Sequence, residues 1–171
     1  MASQESLDLP EKPGELLASI VSERGLQHTL TYRLHLLHKI TDQESQRRYL
    51  QELGLGLSDG RCLATVGTFE PLSVNDLARA ANLNKAQASR AAQSMVERGL
   101  LEKTVDPADG RGVVLRLTAA GHRCWQGVMD LIVQRNKEIF GCLSREQQHQ
   151  LSDLLDRLIA NALSHTPDQK N

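Results

Sequence analysis

From residue 15 to residue 53 the chain reads as helical. Leu26, Leu30, Leu34, Leu37 and Ile40 form a stripe that predicts a helical region, with Gly25 and Gly54 as breaks. SDGRCLATV (58–66) reads as a short helix with Ser58 as its N-cap and Leu63 and Val66 turned inward. Ser73 caps VNDLARAAN, with Asp76 placed to reach back to a free amide, Leu77 and Ala80 facing inward, and Asn82 suited to a left-handed turn. Asn84 opens KAQASRAAQSMVERG, again with a polar side chain, Gln87, three residues on, and Gly99 supplies the stop. The period then falls to two: Val113, Leu115 and Leu117 alternate against Val114 and Arg116. This predicts a strand paired with Leu100–Val105 across the DPADGRG turn. Thr118 caps a helix to about Cys142 with Trp125, Val128, Ile132 and Ile139 on one side. Ser144 starts another with Leu151, Leu154, Leu155, Leu158 and Ala162 in a sustained stripe.

Two short capped helices joined by Asn82-Leu83-Asn84 make a helix-turn-helix, and a hairpin directly behind it makes a winged helix. The predicted fold is mainly α with a small β-hairpin wing. Its expected parts are an arm over 1–14, a helical dimerisation region over 15–54, a winged helix-turn-helix over 55–118, C-terminal dimerisation helices over 119–165 and a tail over 166–171. The long helices carry more apolar stripe than one small module can cover, so a homodimer is the economical solution.

Length and charge narrow the function. The 171 residues suffice for one domain with a proper core, and a net charge of −1 gives no overall field toward nucleic acid or an anionic membrane. The charge is polarised, however: residues 84–116 hold six basic side chains against four acidic ones, a local +2. Such a patch, present twice in a dimer, is compatible with phosphate binding. Aromatic content of 3% disfavours stacking on single strands and leaves duplex DNA as the expected partner. No apolar run spans a membrane and no signal peptide is evident, which points to the cytoplasm. No G-x-S-x-G, H-E-x-x-H, P-loop or dinucleotide fingerprint occurs, so neither an enzyme nor a cofactor is expected.

On the second helix of the helix-turn-helix, Lys85, Gln87, Ser89, Arg90 and Gln93 are the candidates to reach base edges or phosphates. Ser73 and the amides beside it are candidates for a phosphate contact. Upstream, His28, Thr31, Tyr32, His35 and His38 share a polar side opposite the leucine stripe, an odd cluster for a mere strut. A zinc site among these histidines lacks an obvious thiol or carboxylate partner. Redox sensing by Cys62, Cys124 or Cys142 lacks a flanking base. A winged helix that binds only protein would have an uncharged wing, and Arg111 speaks against that.

Taken together, the DLA helix, the recognition helix ending in ERGLL, the DPADGR wing and LTAAG resemble the MarR family of bacterial transcriptional regulators over roughly Leu30 to Leu163. The resemblance implies a homodimer with interlocked terminal helices, two lobes reading a palindromic operator, and a small ligand that weakens DNA binding. The family's D-x-R wing tip maps onto Asp109 and Arg111, with Gly110 replacing a second basic residue often seen there. Asp109 is expected to brace Arg111, and Arg111 to enter the minor groove. Arg61 maps to a pocket position and, with His28, Thr31, Tyr32, His35 and His38, would cradle a carboxylate. The implied function is a repressor of an aromatic-compound catabolic operon, released by an aromatic acid, with a redox- or zinc-responsive regulator as the alternative.

Overall fold

The computed structural model describes residues 25–106, 110 and 112–165. The arm expected over 1–14, the start of the first helical region, Asp109, Arg111 and the tail from 166 lie outside the described residues. A 3₁₀ turn at Leu26–His28 precedes helices α1 (Leu30–Leu53), α2 (Leu57–Phe69), α3 (Val74–Ala80) and α4 (Lys85–Glu97). Strands β1 (Leu101–Val105) and β2 (Val113–Leu117) follow, then α5 (Ala119–Phe140) and α6 (Arg145–His165). The chain divides into two units at Arg47/Arg48, so α1 contributes residues to both.

In the first unit Thr29 is buried and caps the start of α1, its hydroxyl accepting from the Tyr32 amide at 3.3 Å. Leu30, Leu34, Leu37 and Ile40, the predicted stripe, are exposed.

The second unit holds the core. Leu63 and Val66 from α2, Leu77 from α3, Met95 from α4 and Val128 from α5 are fully covered, joined by Leu101, Leu115 and Leu117 from the strands. Burial of each large side chain contributes about 2 kcal/mol, which is what fastens three short helices to a two-stranded sheet. Small residues set the spacing. Ala88, Ala91 and Ala92 bring α4 close to α2 and α3, and Gly60 lets the Tyr49 ring pack where a β-carbon would stand 2.4 Å from its Cε1.

Three details differ from the sequence pattern. α2 starts two residues early, with Gly56 as its N-cap and no side-chain cap bond; Ser58 lies inside the helix. In α3 it is Ala78, with Ala81 at the C-cap, rather than Ala80, that is buried with Leu77, because only one narrow edge of this seven-residue helix is covered. In β2, Leu115 and Leu117 face the core as alternation predicts, yet Val113 is exposed and Val114 buried. The hairpin has left the core by the Val105–Val113 pair, so period two no longer reports an inside.

Candidate nucleic-acid interface

The helix-turn-helix is fixed by its caps. Ser73 Oγ accepts from the Asp76 amide at 3.1 Å and donates to Asp76 Oδ2 at 2.6 Å, so the acid braces the capping hydroxyl while also drawing on the Ser73 amide. Asn82 takes φ 53°, the left-handed turn expected of it. Asn84 Oδ1 then accepts from the Gln87 amide at 2.8 Å, while Gln87 Oε1 accepts from the Asn84 amide at 3.0 Å. This reciprocal capping box starts α4 at Lys85 and fixes which residues face outward.

Lys85, Gln87, Ser89, Arg90 and Gln93 are all exposed on α4, opposite its alanine face. Two of them are already engaged. Gln87 spends its carbonyl oxygen on the cap, leaving its NH₂ to face outward contacts. Gln93 donates from Nε2 to Glu97 Oε1 at 2.9 Å and accepts at Oε1 from Lys103 Nζ at 2.9 Å. Lys103 was not among the sequence candidates; its nearness to Gln93 comes from α4 packing on β1, which no local pattern reports. Arg98, counted in the local positive charge, instead donates to the Gly54 carbonyl at 3.1 Å.

At the wing, Leu101–Val105 pairs antiparallel with Val113–Leu117, which sets Glu102 opposite Arg116. Leu72 adds a bridge to Leu115, its carbonyl accepting from the Leu115 amide at 2.8 Å. The turn narrows through Asp106 N to Gly112 O at 2.8 Å and Gly110 N to Asp106 O at 2.9 Å, with Gly110 at φ 68°. Asp109 and Arg111, the expected wing-tip pair, lie outside the described residues.

A shallow cleft beside the recognition face is lined by Ser58, Asp59, Gln87, Arg90, Ala91 and Ser94. Burial pushes the Asp59 carboxyl above its ordinary range, opposed by the nearby Arg98 charge.

Of the residues expected to hold an acid, His28, Thr31, Tyr32, His35 and His38 are exposed in the first unit. His28 Nδ1 lies 3.3 Å from Arg33 Nη2, and His38 Nε2 lies 3.4 Å from Asp42. Arg61 is half-buried on α2 in the second unit. Among the described residues no three His, Cys, Asp or Glu converge as a metal set. Cys62 is buried and its thiol is pushed up to about 12, chiefly by burial. It therefore stays protonated at neutral pH and is a poor nucleophile.

A capped helix-turn-helix with an exposed polar second helix, followed at once by a hairpin, defines a winged helix-turn-helix protein. The family model described as MarR family matches residues 53–112. The HTH-type transcriptional regulator BilQ of Clostridium symbiosum is 25% identical over 109 residues, 64% of this chain and 76% of that protein. A MarR/EmrR family regulator from Acinetobacter sp. ADP1 shares the fold with TM-score 0.73 and 23% identity, over 80% of this chain and 95% of that one. The structure of the S. aureus MepR-DNA complex aligns with TM-score 0.70 and 18% identity, over 80% of this chain and 99% of that one. Residues 53–112 are thus similar to the MarR family, and the chain shares the winged helix-turn-helix fold of solved MarR-family regulators. No helix among the described residues is long and apolar enough to cross a membrane.

Proposed function

We propose that the protein is a cytoplasmic, homodimeric repressor that binds a palindromic duplex operator and is released by a small aromatic carboxylate. The observation that carries the reading is the outward face of α4, where Lys85, Gln87, Ser89, Arg90 and Gln93 stand exposed on a helix whose start is fixed by a capping box. That is the geometry a recognition helix needs in a major groove. Ser73, at the start of α3, would position a phosphate, and Asp109 and Arg111 would serve the wing tip. Exposed Leu154, Leu158, Ile159 and Leu163 on α6, and the leucine stripe of α1, support a second copy as the cover for these faces. His28, Thr31, Tyr32, His35, His38 and Arg61 are the proposed effector residues, and genes for aromatic-compound catabolism the proposed target.

Titration of the protein, with rising salt, onto duplex from the region upstream of its own gene tests the reading. Affinity should fall steeply with salt and retain a sequence-specific part in competitor DNA; no specific part would overturn it. A thermal-shift series with benzoate should raise the melting temperature of the parent and not of Arg61→Ala. An unchanged parent removes the carboxylate assignment.

A further inference from the structure

The recognition helix and the wing are joined by a three-residue hydrogen-bond chain. Gln93 and Glu97 are one helical turn apart on α4, and Lys103 lies on β1. Lys103 Nζ donates to Gln93 Oε1 at 2.9 Å, and Gln93 Nε2 donates to Glu97 Oε1 at 2.9 Å. The chemistry admits one orientation of the amide. An ammonium can only donate and an ionised carboxylate can only accept, so Gln93 must turn its oxygen toward the wing and its nitrogen toward Glu97. A glutamine amide is nearly symmetric in shape, and a lone one can present either end to a base. Here the two charged neighbours choose, and both bonds are charge-assisted.

We propose that Lys103 and Glu97 are positioning residues for operator recognition: given operator binding by α4, on which this rests, they fix the amide orientation with which Gln93 meets the base edge. Lys103 thereby sets sequence preference from the wing without touching a base. The competing role is a plain phosphate contact, which lowers affinity for every sequence alike when lost.

The two are separated by selecting duplexes from a pool with a randomised 24-bp centre, using the full chain and its variants. Lys103→Met and Glu97→Gln should each change base preference at the positions altered by Gln93→Ala, by roughly 5- to 100-fold in relative affinity. Lys103→Arg, which restores the donor, should keep the parental preference. The Gln93→Ala/Lys103→Met pair should select the same bases as Gln93→Ala alone, since the lysine acts through the amide. A parental preference retained by both Lys103→Met and Glu97→Gln, with affinity lowered uniformly, overturns the positioning role while leaving operator binding intact. A parent that enriches no sequence overturns operator binding and this role with it. All three side chains are exposed, and equal melting temperatures confirm that the variants are folded.

Discussion

Gly121 and the carbonyl oxygen of Leu100 are in such close approach that a β-carbon on Gly121 would stand 2.0 Å from that oxygen. The same carbonyl accepts from the Thr118 amide at 3.1 Å, and Thr118 Oγ1 accepts from the Gly121 amide at 3.0 Å while donating to the Gly99 carbonyl at 2.7 Å. The start of α5 is thus pinned to the end of the recognition helix through backbone atoms, which cannot rotate aside. Gly121→Ala should cost about 3 kcal/mol by overpacking, lowering the melting temperature by roughly 6–12 °C at fixed protein concentration. A calorimetric shift under 2 °C would show that the two segments slide apart freely.

Two carboxylates give opposite pH signatures. The Ser73 hydroxyl, aided by Arg79, holds the Asp76 carboxyl below its ordinary range. Its contribution is complete above the unfolded value of about 3.9 and is lost as pH falls through the folded one. Asp59 is pushed up, mainly by burial, so its contribution is present below the unfolded value and is lost as pH rises through the folded one. Denaturant titrations from pH 2.5 to 7 should therefore show Asp76→Asn losing most at pH 7 and converging on the parent in acid. Asp59→Asn should gain relative to the parent as pH rises. The same slope for both variants would contradict the two environments.

The caps explain why so much of this fold was legible in the sequence. Ser73, Asn84 and Thr118 act on amides three residues away, so their role is written within a few letters. The buried alanines of α4 obey helical spacing for the same reason. What failed depends on distant partners. Val113 alternates correctly and still finds no core, and Leu131, absent from the predicted face of α5, is buried in the core. In the candidate interface, the residue types on α4 were readable, whereas the engagement of Gln93 by Lys103 depends on how β1 lies against α4. Nor can the pattern report that Arg98 turns toward the Gly54 carbonyl.

Thiol reactivity should follow cover and not position in the chain. Cys142 is exposed, Cys124 half-buried with its thiol pushed up by burial, and Cys62 buried with its thiol near 12. Iodoacetamide at pH 7.5, followed by peptide mass spectrometry, should label Cys142 first and Cys62 only on unfolding. Native labelling of Cys62 at the rate of Cys142 would reopen a redox role for it.

Gln87 has two roles that one substitution can separate. Its oxygen closes the capping box of α4, and its NH₂ faces outward. Gln87→Ala removes both, so a loss of DNA binding would mix a helix defect of about 1 kcal/mol with a lost contact. Gln87→Glu keeps the acceptor that the Asn84 amide needs and suits the helix N-terminus electrostatically. It also replaces the outward donor by a negative charge, which meets a base acceptor or a phosphate with repulsion. The expected outcome is a melting temperature equal to or slightly above that of the parent, together with at least tenfold weaker binding to duplex from the region upstream of its own gene. Parental affinity with parental stability would mean that Gln87 serves only to start the helix, leaving the outward contacts of α4 to Lys85, Ser89, Arg90 and Gln93.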